Sequence, residues 1–136
     1  MTYEKPLPQP TAIDAPYWES LRKHELRLPR CRDCGHVFFP PNKVHCPRCL
    51  SDRLEWARMS GRGRVWSWVV FHQRYFSSFA NDIPYVVAFI ELDEGPRLMS
   101  TLVECSRDEI RCDMPVEVVF DDITPEFTIP KFRPIR

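Results

Sequence analysis

Cys31-Arg32-Asp33-Cys34-Gly35 and Cys46-Pro47-Arg48-Cys49, with eleven residues between Cys34 and Cys46, form the stretch on which the reading of this chain turns. Two Cys-x-x-Cys pairs at that separation point to one tetrahedral metal site, each pair making a knuckle that turns two thiolates inward. Gly35, directly after the first pair, suits a tight turn with positive φ. The second pair has Pro47 inside it and Leu50 after it, so it lacks the matching glycine. Four thiolates without an open position describe a structural zinc site, with iron as the rival for the same ligands. Two disulfides are the other alternative, although pairs this close in sequence close only small loops. No charged-then-apolar leader opens the sequence at Met1-Thr2-Tyr3-Glu4-Lys5. No apolar run approaches the roughly 18 residues of a membrane span. The expectation is a cytoplasmic chain whose thiols stay reduced and bind metal. Cys105 and Cys112 lie outside the cluster and read as small, partly buried apolar residues.

The 136 residues suffice for one ordinary domain with an appended module, and the 43% apolar fraction is that of a globular chain. Fourteen prolines against four glycines favour rigid turns and extended segments over long helices. Formal net charge is zero, but the charge is unevenly spread. From Arg22 to Arg64 there are eleven Lys/Arg and four Asp/Glu, a balance of +7; from Val65 onward there are seven against twelve, a balance of −5. A basic metal module can meet nucleic acid, the phosphates of a nucleotide-like cofactor, or an acidic protein partner, and a solvated surface is the plainer reading of any single arginine in it.

Outward from the cysteines the chain divides into an N-terminal arm and short helix (1–26), a zinc ribbon (27–60) and a β-rich part (61–136). Pro6, Pro8 and Pro10 make the first residues an extended arm. Asp14-Ala15-Pro16 reads as a helix start, and Tyr17, Trp18 and Leu21 give a helix to about Leu26 one apolar face that packs on the body of the protein. Glu25–Pro29 and His36–Pro41 are expected to pair as the hairpin of the ribbon, with Phe38 and Phe39 covering the metal and residues 50–62 serving as a connector. His36 and His45 flank the ligands and read as surface residues. Ser60-Gly61-Arg62-Gly63-Arg64 is a turn that lacks the glycine spacing and Lys-Ser/Thr pair of a phosphate loop. It reads as a hinge, with a backbone that could approach a phosphate.

From Val65 the pattern becomes β: Val65–Phe71, Pro84–Leu92, Arg97–Val103, Pro115–Asp121 and Phe127–Phe132. Ser106–Glu109 is a capping-box pattern for one helical turn. Five strands with a short helix before the fourth and no long crossover helices suggest a small closed or partly open barrel, for which the OB-fold is the leading candidate. The connection from His72 to Ile83 carries Arg74, Tyr75, Phe76 and Phe79. Three aromatics there either fold back on the barrel or bind something.

Several blocks then fall in the order of a known family: Leu28-Pro29-Arg30-Cys31-Arg32-Asp33-Cys34-Gly35, Phe39-Pro40-Pro41, Cys46-Pro47-Arg48-Cys49, Ser60-Gly61-Arg62-Gly63, Pro84-Tyr85-Val86-Val87-Ala88 and Met114-Pro115-Val116. From about Asp14 to Pro134 the chain resembles the zinc-ribbon/OB-fold family of acyl-CoA-associated proteins. It departs from that pattern at Cys112-Asp113, where the family usually has glycine just ahead of the methionine. The resemblance implies a mainly β protein: an N-terminal helix and a rubredoxin-like zinc ribbon followed by a five-stranded OB-fold barrel. It implies structural Zn2+ on Cys31, Cys34, Cys46 and Cys49. It also implies a hetero-oligomer with a thiolase-like or aldolase subunit, acting on an acyl-CoA in lipid or aromatic degradation.

Three functions are weighed on these residues. The first is a non-catalytic accessory subunit of a thiolase-fold acyl-CoA enzyme, a thiolase or retro-aldolase. In it, Arg62 and Arg64 would meet CoA phosphates, and Arg74, Tyr75, Phe76 and Phe79 would meet the partner or the pantetheine arm. The second is a single-stranded nucleic-acid-binding protein, which the zero net charge and the acidic β-rich part disfavour. The third is an independent enzyme. His72 with Cys105 or Cys112 are its only candidates, and no motif links them.

Overall fold

Residues 7–71 and 85–135 are described by the computed structural model. Asp14 sits at the N-cap of helix α1 (Ala15–Arg22), with Pro16 in the first turn. Its side chain does not cap the helix; Asp14 Oδ1 accepts from the Thr11 amide at 2.6 Å and from the Thr11 hydroxyl at 3.1 Å. Instead of running to Leu26, the helix stops at Arg22. His24 takes φ 58°, its amide donates to the Leu21 carbonyl, and the Glu25 amide reaches back to Ser20. This is a Schellman stop made without glycine, which is why no sequence signal marked it. Tyr17 and Leu21 are buried, and Trp18 packs edge-on against Phe127.

The ribbon sheet differs from the expected hairpin. Strand β1 (Arg27–Cys31) pairs antiparallel with β2 (Leu54–Arg58), while the segment after the first knuckle contributes a single bridge, Val37 to Arg30. Residues 50–62 are therefore more than a connector. Arg30 faces Glu55 across the pair and donates two hydrogen bonds to it, at 2.6 and 2.8 Å. The Met59 amide extends the pairing to the Leu26 carbonyl.

The second sheet has five strands in the order β5-β4-β3-β6-β7, with β3 (Arg62–Phe71), β4 (Tyr85–Leu92), β5 (Arg97–Ser100), β6 (Pro115–Asp122) and β7 (Thr128–Pro134), all neighbours antiparallel. A parallel bridge between Leu102 and Phe132 brings the end of the β5 segment to β7 and curls the sheet into a half-barrel. The connections and this closure are those of an OB-fold. A 3₁₀ turn, Arg107–Glu109, precedes β6, and Ser106 donates from its amide and hydroxyl to Glu109 Oε1, as the capping-box pattern predicts.

Gly63 explains the glycines at the start of the barrel. A Cβ there would overlap the Glu91 carbonyl of β4, so the two backbones can approach only without a side chain. Gly61, at φ 80°, lies against Val118. Asp113, the departure from the resembled pattern, adopts φ 66° and donates its amide to the Val65 carbonyl at 2.7 Å. Aspartate tolerates this left-handed conformation better than most residues, so the turn survives the departure.

One core joins all parts. Leu21, Leu26 and Leu28 from the helix and ribbon pack in the same cluster as Val65, Ile90, Leu92, Leu98, Val116 and Phe132 from the barrel. Each fully buried leucine contributes about 2 kcal/mol from apolar area removed from water, so Leu21, Leu26 and Leu28 help seat the helix and ribbon on the barrel. Phe39 and Trp56 pack against this cluster from the ribbon side.

Candidate metal centre and the surfaces around it

The two knuckles are near copies. In each, the first cysteine is buried and the last exposed: Cys31 and Cys46 lie inside, Cys34 and Cys49 outside. The Gly35 amide donates to the Cys31 carbonyl at 2.9 Å, and the Leu50 amide donates to Cys46 at 2.8 Å. Gly35 takes φ 78° and Leu50 φ 65°, so Leu50 adopts the glycine-type turn although it carries a side chain. Amides also point at sulfur, Cys34 to Cys31 Sγ at 3.5 Å and Arg48 to Cys46 Sγ at 3.3 Å.

All four sulfurs lie within 4.8 Å of one another, with Cys31–Cys49 at 3.5 Å and Cys34–Cys46 at 3.6 Å. Those separations are far beyond a disulfide bond. They are close to the about 3.8 Å between ligands of a tetrahedral zinc with sulfur at 2.3 Å. The donor set thus fits zinc, and Cys31, Cys34, Cys46 and Cys49 are the residues that could hold it. The electrostatics agree. The Cys34 amide, the strongest influence on Cys31, helps bring that thiol down to about 6. Cys49 receives the Ser51 amide, but the neighbouring Cys31 thiol and burial outweigh it and push Cys49 up to about 12. Four adjacent thiols cannot all ionise without a cation among them. When bound, the ion supplies that charge and ties β1 to the 46–50 turn.

Neither His36 nor His45 belongs to the sulfur cluster; the His36 ring stacks on Phe38 with centroids 6.2 Å apart. Phe38 is buried, and both phenylalanines line a cleft of about 440 Å³ between the ribbon and the β4–β5 turn, with Arg48, Pro96 and Arg97. Arg62 is exposed at the start of β3. Arg64 binds Glu91 at 2.6 Å and Asp113 at 3.4 Å. The glycine turn offers few spare backbone groups: the Gly61 carbonyl accepts from Val118, the Arg62 carbonyl from Asp93, and the Arg62 amide donates to the Ser60 hydroxyl. His72, Arg74, Tyr75, Phe76 and Phe79 lie outside the described residues. Cys105 is half-buried against the core, as expected, whereas Cys112 is exposed and does not serve as an apolar filler.

Sequence reasoning missed the outer face of the barrel. Trp66, Val69, Phe89 and Met99 project from β3, β4 and β5 away from the core and are 45, 47, 39 and 63% exposed. The signal was present: Val65–Phe71 and Tyr85–Ile90 carry apolar residues on both faces of their strands, where a one-sided strand alternates.

Fold and site together define a zinc-ribbon protein with an appended OB-fold. Residues 18–55 match the family described as "ChsH2, rubredoxin-like zinc ribbon domain", and residues 56–121 match "ChsH2, C-terminal OB-fold domain", the junction falling inside β2. The chain belongs to this ChsH2-type DUF35 family. A "DUF35 domain-containing scaffold protein" of Methanothermobacter thermautotrophicus is 38% identical over 77% of this chain and 78% of its own length. A "Probable enoyl-CoA hydratase alpha subunit" of Thermomonospora curvata is 35% identical over 96% of this chain, which spans only 40% of that protein. "Benzoylsuccinyl-CoA thiolase subunit BbsA" of Geobacter metallireducens is 33% identical over 69% of this chain and 60% of its own length. Among solved structures, a chain of the "Ltp2-ChsH2(DUF35) aldolase" superposes with a TM-score of 0.84 at 35% identity, covering 94% of this chain and 98% of that one. Among the described residues no helix is long and apolar enough to cross a membrane.

Proposed function

We propose that this chain is a non-catalytic accessory subunit of a thiolase-fold acyl-CoA enzyme, a thiolase or a retro-aldolase. The observation that carries the reading is the near-complete superposition on a chain of the Ltp2-ChsH2(DUF35) aldolase. The thiolase subunit among its relatives points the same way. The site agrees in kind, because four cysteines with no open position make a scaffold and leave no coordination site for chemistry. On this reading the ribbon and barrel hold a surface that stabilises the catalytic subunit, and an acyl-CoA is turned over in the complex. Arg62 is the better of the two arginines proposed to meet CoA phosphates, since no acidic group among the described residues pairs with it, whereas Glu91 already holds Arg64. Arg74, Tyr75, Phe76 and Phe79 stay in the proposal as partner or pantetheine contacts. The division into residues 1–26, 27–60 and 61–136 is proposed as the functional one.

The test is co-expression with a thiolase-fold subunit encoded beside this chain. The expected result is a soluble heteromer that cleaves an acyl-CoA, with neither subunit active alone. Separate purification of the two, with full activity in the thiolase-fold subunit by itself, defeats the reading.

A further inference from the structure

The sulfur cluster is built with an inside and an outside. Cys31 and Cys46 are buried, and the amides of Cys34 and Arg48 hold their sulfurs at 3.5 and 3.3 Å. Cys34 and Cys49 are exposed. Nothing crowds their chain neighbours: a Cβ added to Gly35 would meet no atom within 4 Å, and Leu50 is 75% exposed. The cleft of about 440 Å³ reaches both knuckles, through Gly35 of the first and Arg48 of the second. A small neutral molecule from solvent can therefore approach either outer sulfur. Susceptibility of a cysteine to oxidation follows such exposure, together with a second sulfur poised to resolve the product.

The second sulfur is in place at each outer position. The sulfur–sulfur contacts at hydrogen-bond distance, Cys49 to Cys31 at 3.5 Å and Cys34 to Cys46 at 3.6 Å, each join an outer sulfur of one knuckle to the inner sulfur of the other. A disulfide needs about 2.05 Å, so each pair has to close by about 1.5 Å, a distance that two side-chain rotations can share. The paired residues lie 18 and 12 positions apart, one pair nested inside the other. Loops of that length constrain the chain more than the small loops closed within a Cys-x-x-Cys pair. Bonds between the knuckles also keep β1 tied to the 46–50 turn, the connection that a bound ion makes. Cys112 is exposed as well but stands outside the cluster, which makes it an internal comparison.

We propose that the metal centre is also an oxidation site: hydrogen peroxide attacks at Cys34 and Cys49, and Cys46 and Cys31 resolve the products as the disulfides Cys34–Cys46 and Cys31–Cys49, with release of the zinc. At each pair the outer thiolate gives two electrons to the peroxide O–O bond. An S–O bond forms, one oxygen leaves as water, and the sulfur is left as a sulfenic acid. The inner thiolate then attacks that sulfur; the S–S bond forms as the S–O bond breaks, and the second oxygen leaves as water. Two protons from solvent complete each pair. Across the cluster, two peroxides and four protons become four waters, four thiolates become two disulfides, and Zn2+ goes free because no sulfur anion is left to hold it.

The experiment treats the full zinc-loaded chain with hydrogen peroxide and follows zinc release with a chromogenic chelator, against a sample without peroxide. Remaining thiols are blocked with N-ethylmaleimide, and the chain is digested with trypsin without reduction. Cleavage after Arg30, Arg32, Lys43, Arg48 and Arg53 puts each of the four cysteines on its own peptide, so mass spectrometry reads the pairing directly. The expected result is residues 31–32 joined to 49–53 and residues 33–43 joined to 44–48, both appearing in step with complete zinc loss. Dithiothreitol and added zinc should restore the loaded chain. Cys112→Ser should give the same two pairs at the same rate. Disulfides within the knuckles, disulfides between chains, or sulfinic acids without disulfides overturn the proposal. So does zinc that stays bound after Cys112 has been fully oxidised.

Discussion

Exchanging the residues that follow the two knuckles tests the metal centre at the level of single backbone angles. Gly35 and Leu50 occupy equivalent turns, at φ 78° and 65°. A Cβ at Gly35 would meet nothing within 4 Å, so Gly35→Ala carries no steric clash and its effect is purely conformational. A left-handed conformation costs a residue with a side chain about 1–2 kcal/mol. Against this, alanine loses about 0.4–1 kcal/mol less backbone entropy on folding than glycine. Gly35→Ala should therefore destabilise by about 1 kcal/mol. Leu50→Gly should do the reverse, gaining up to about 1 kcal/mol, because Leu50 is 75% exposed and little burial is lost. The assay is urea unfolding of the zinc-loaded chain. With a slope of about 2 kcal/mol/M, the midpoint should move by about 0.5 M, downward for Gly35→Ala and upward for Leu50→Gly. Zinc affinity measured by chelator competition should shift in the same directions, since metal binding and folding of the knuckles are coupled. If Leu50→Gly destabilises as much as Gly35→Ala does, the two turns are not equivalent and the argument fails.

Further outcomes follow from other sites. Gly63→Ala should cost about 3 kcal/mol, because the new methyl overlaps the β4 backbone at Glu91 and no flexible side chain can yield; loss of soluble protein or a midpoint shift of more than 1 M would register it. Glu91 is held below the usual carboxylate range, first by the Arg64 hydrogen bond and then by Arg97. Its stabilising contribution is present above the ordinary carboxylate pKa and lost as pH falls through the lowered folded value. Acid titration should accordingly show a smaller loss of stability in Glu91→Gln than in the wild type over that window. Chelation of the metal, or Cys46→Ser, should release the ribbon and expose Leu28 and Phe39 to a hydrophobic dye; an unchanged circular dichroism spectrum and no dye binding after complete metal removal would contradict the scaffold role.

The sequence disclosed the parts whose signals are local. Cysteine spacing located the metal ligands, alternating and aromatic runs located the barrel strands, and Ser106 with Glu109 located the 3₁₀ turn. It misjudged features set by non-local pairing. Leu54–Arg58 looked like a connector because its strand character shows only against Arg27–Cys31, to which it pairs residue by residue from Arg27↔Arg58 to Cys31↔Leu54. The helix end was hidden because His24 replaced the usual glycine. That residue is held by its ring, which stacks on Phe120 at 5.1 Å and contacts Asp122 at 3.0 Å, a partner 98 residues away. The outer face of the barrel was overlooked because a β-bulge between Val65 and Ser67 shifts which residues of β3 face outward, so a continuous apolar run serves both sides.

The packing of Leu26 and Leu28 among the barrel side chains has a consequence for how the molecule comes apart. Cys31 ends the strand that carries Leu28, so slackening at the sulfur cluster is transmitted along one short strand into the middle of the barrel. Scission near Met59 would not free two self-sufficient halves, because each would bare the apolar surface it had shared with the other. Loading of the ion thereby becomes a checkpoint on whether the whole polypeptide presents a finished surface to its neighbours.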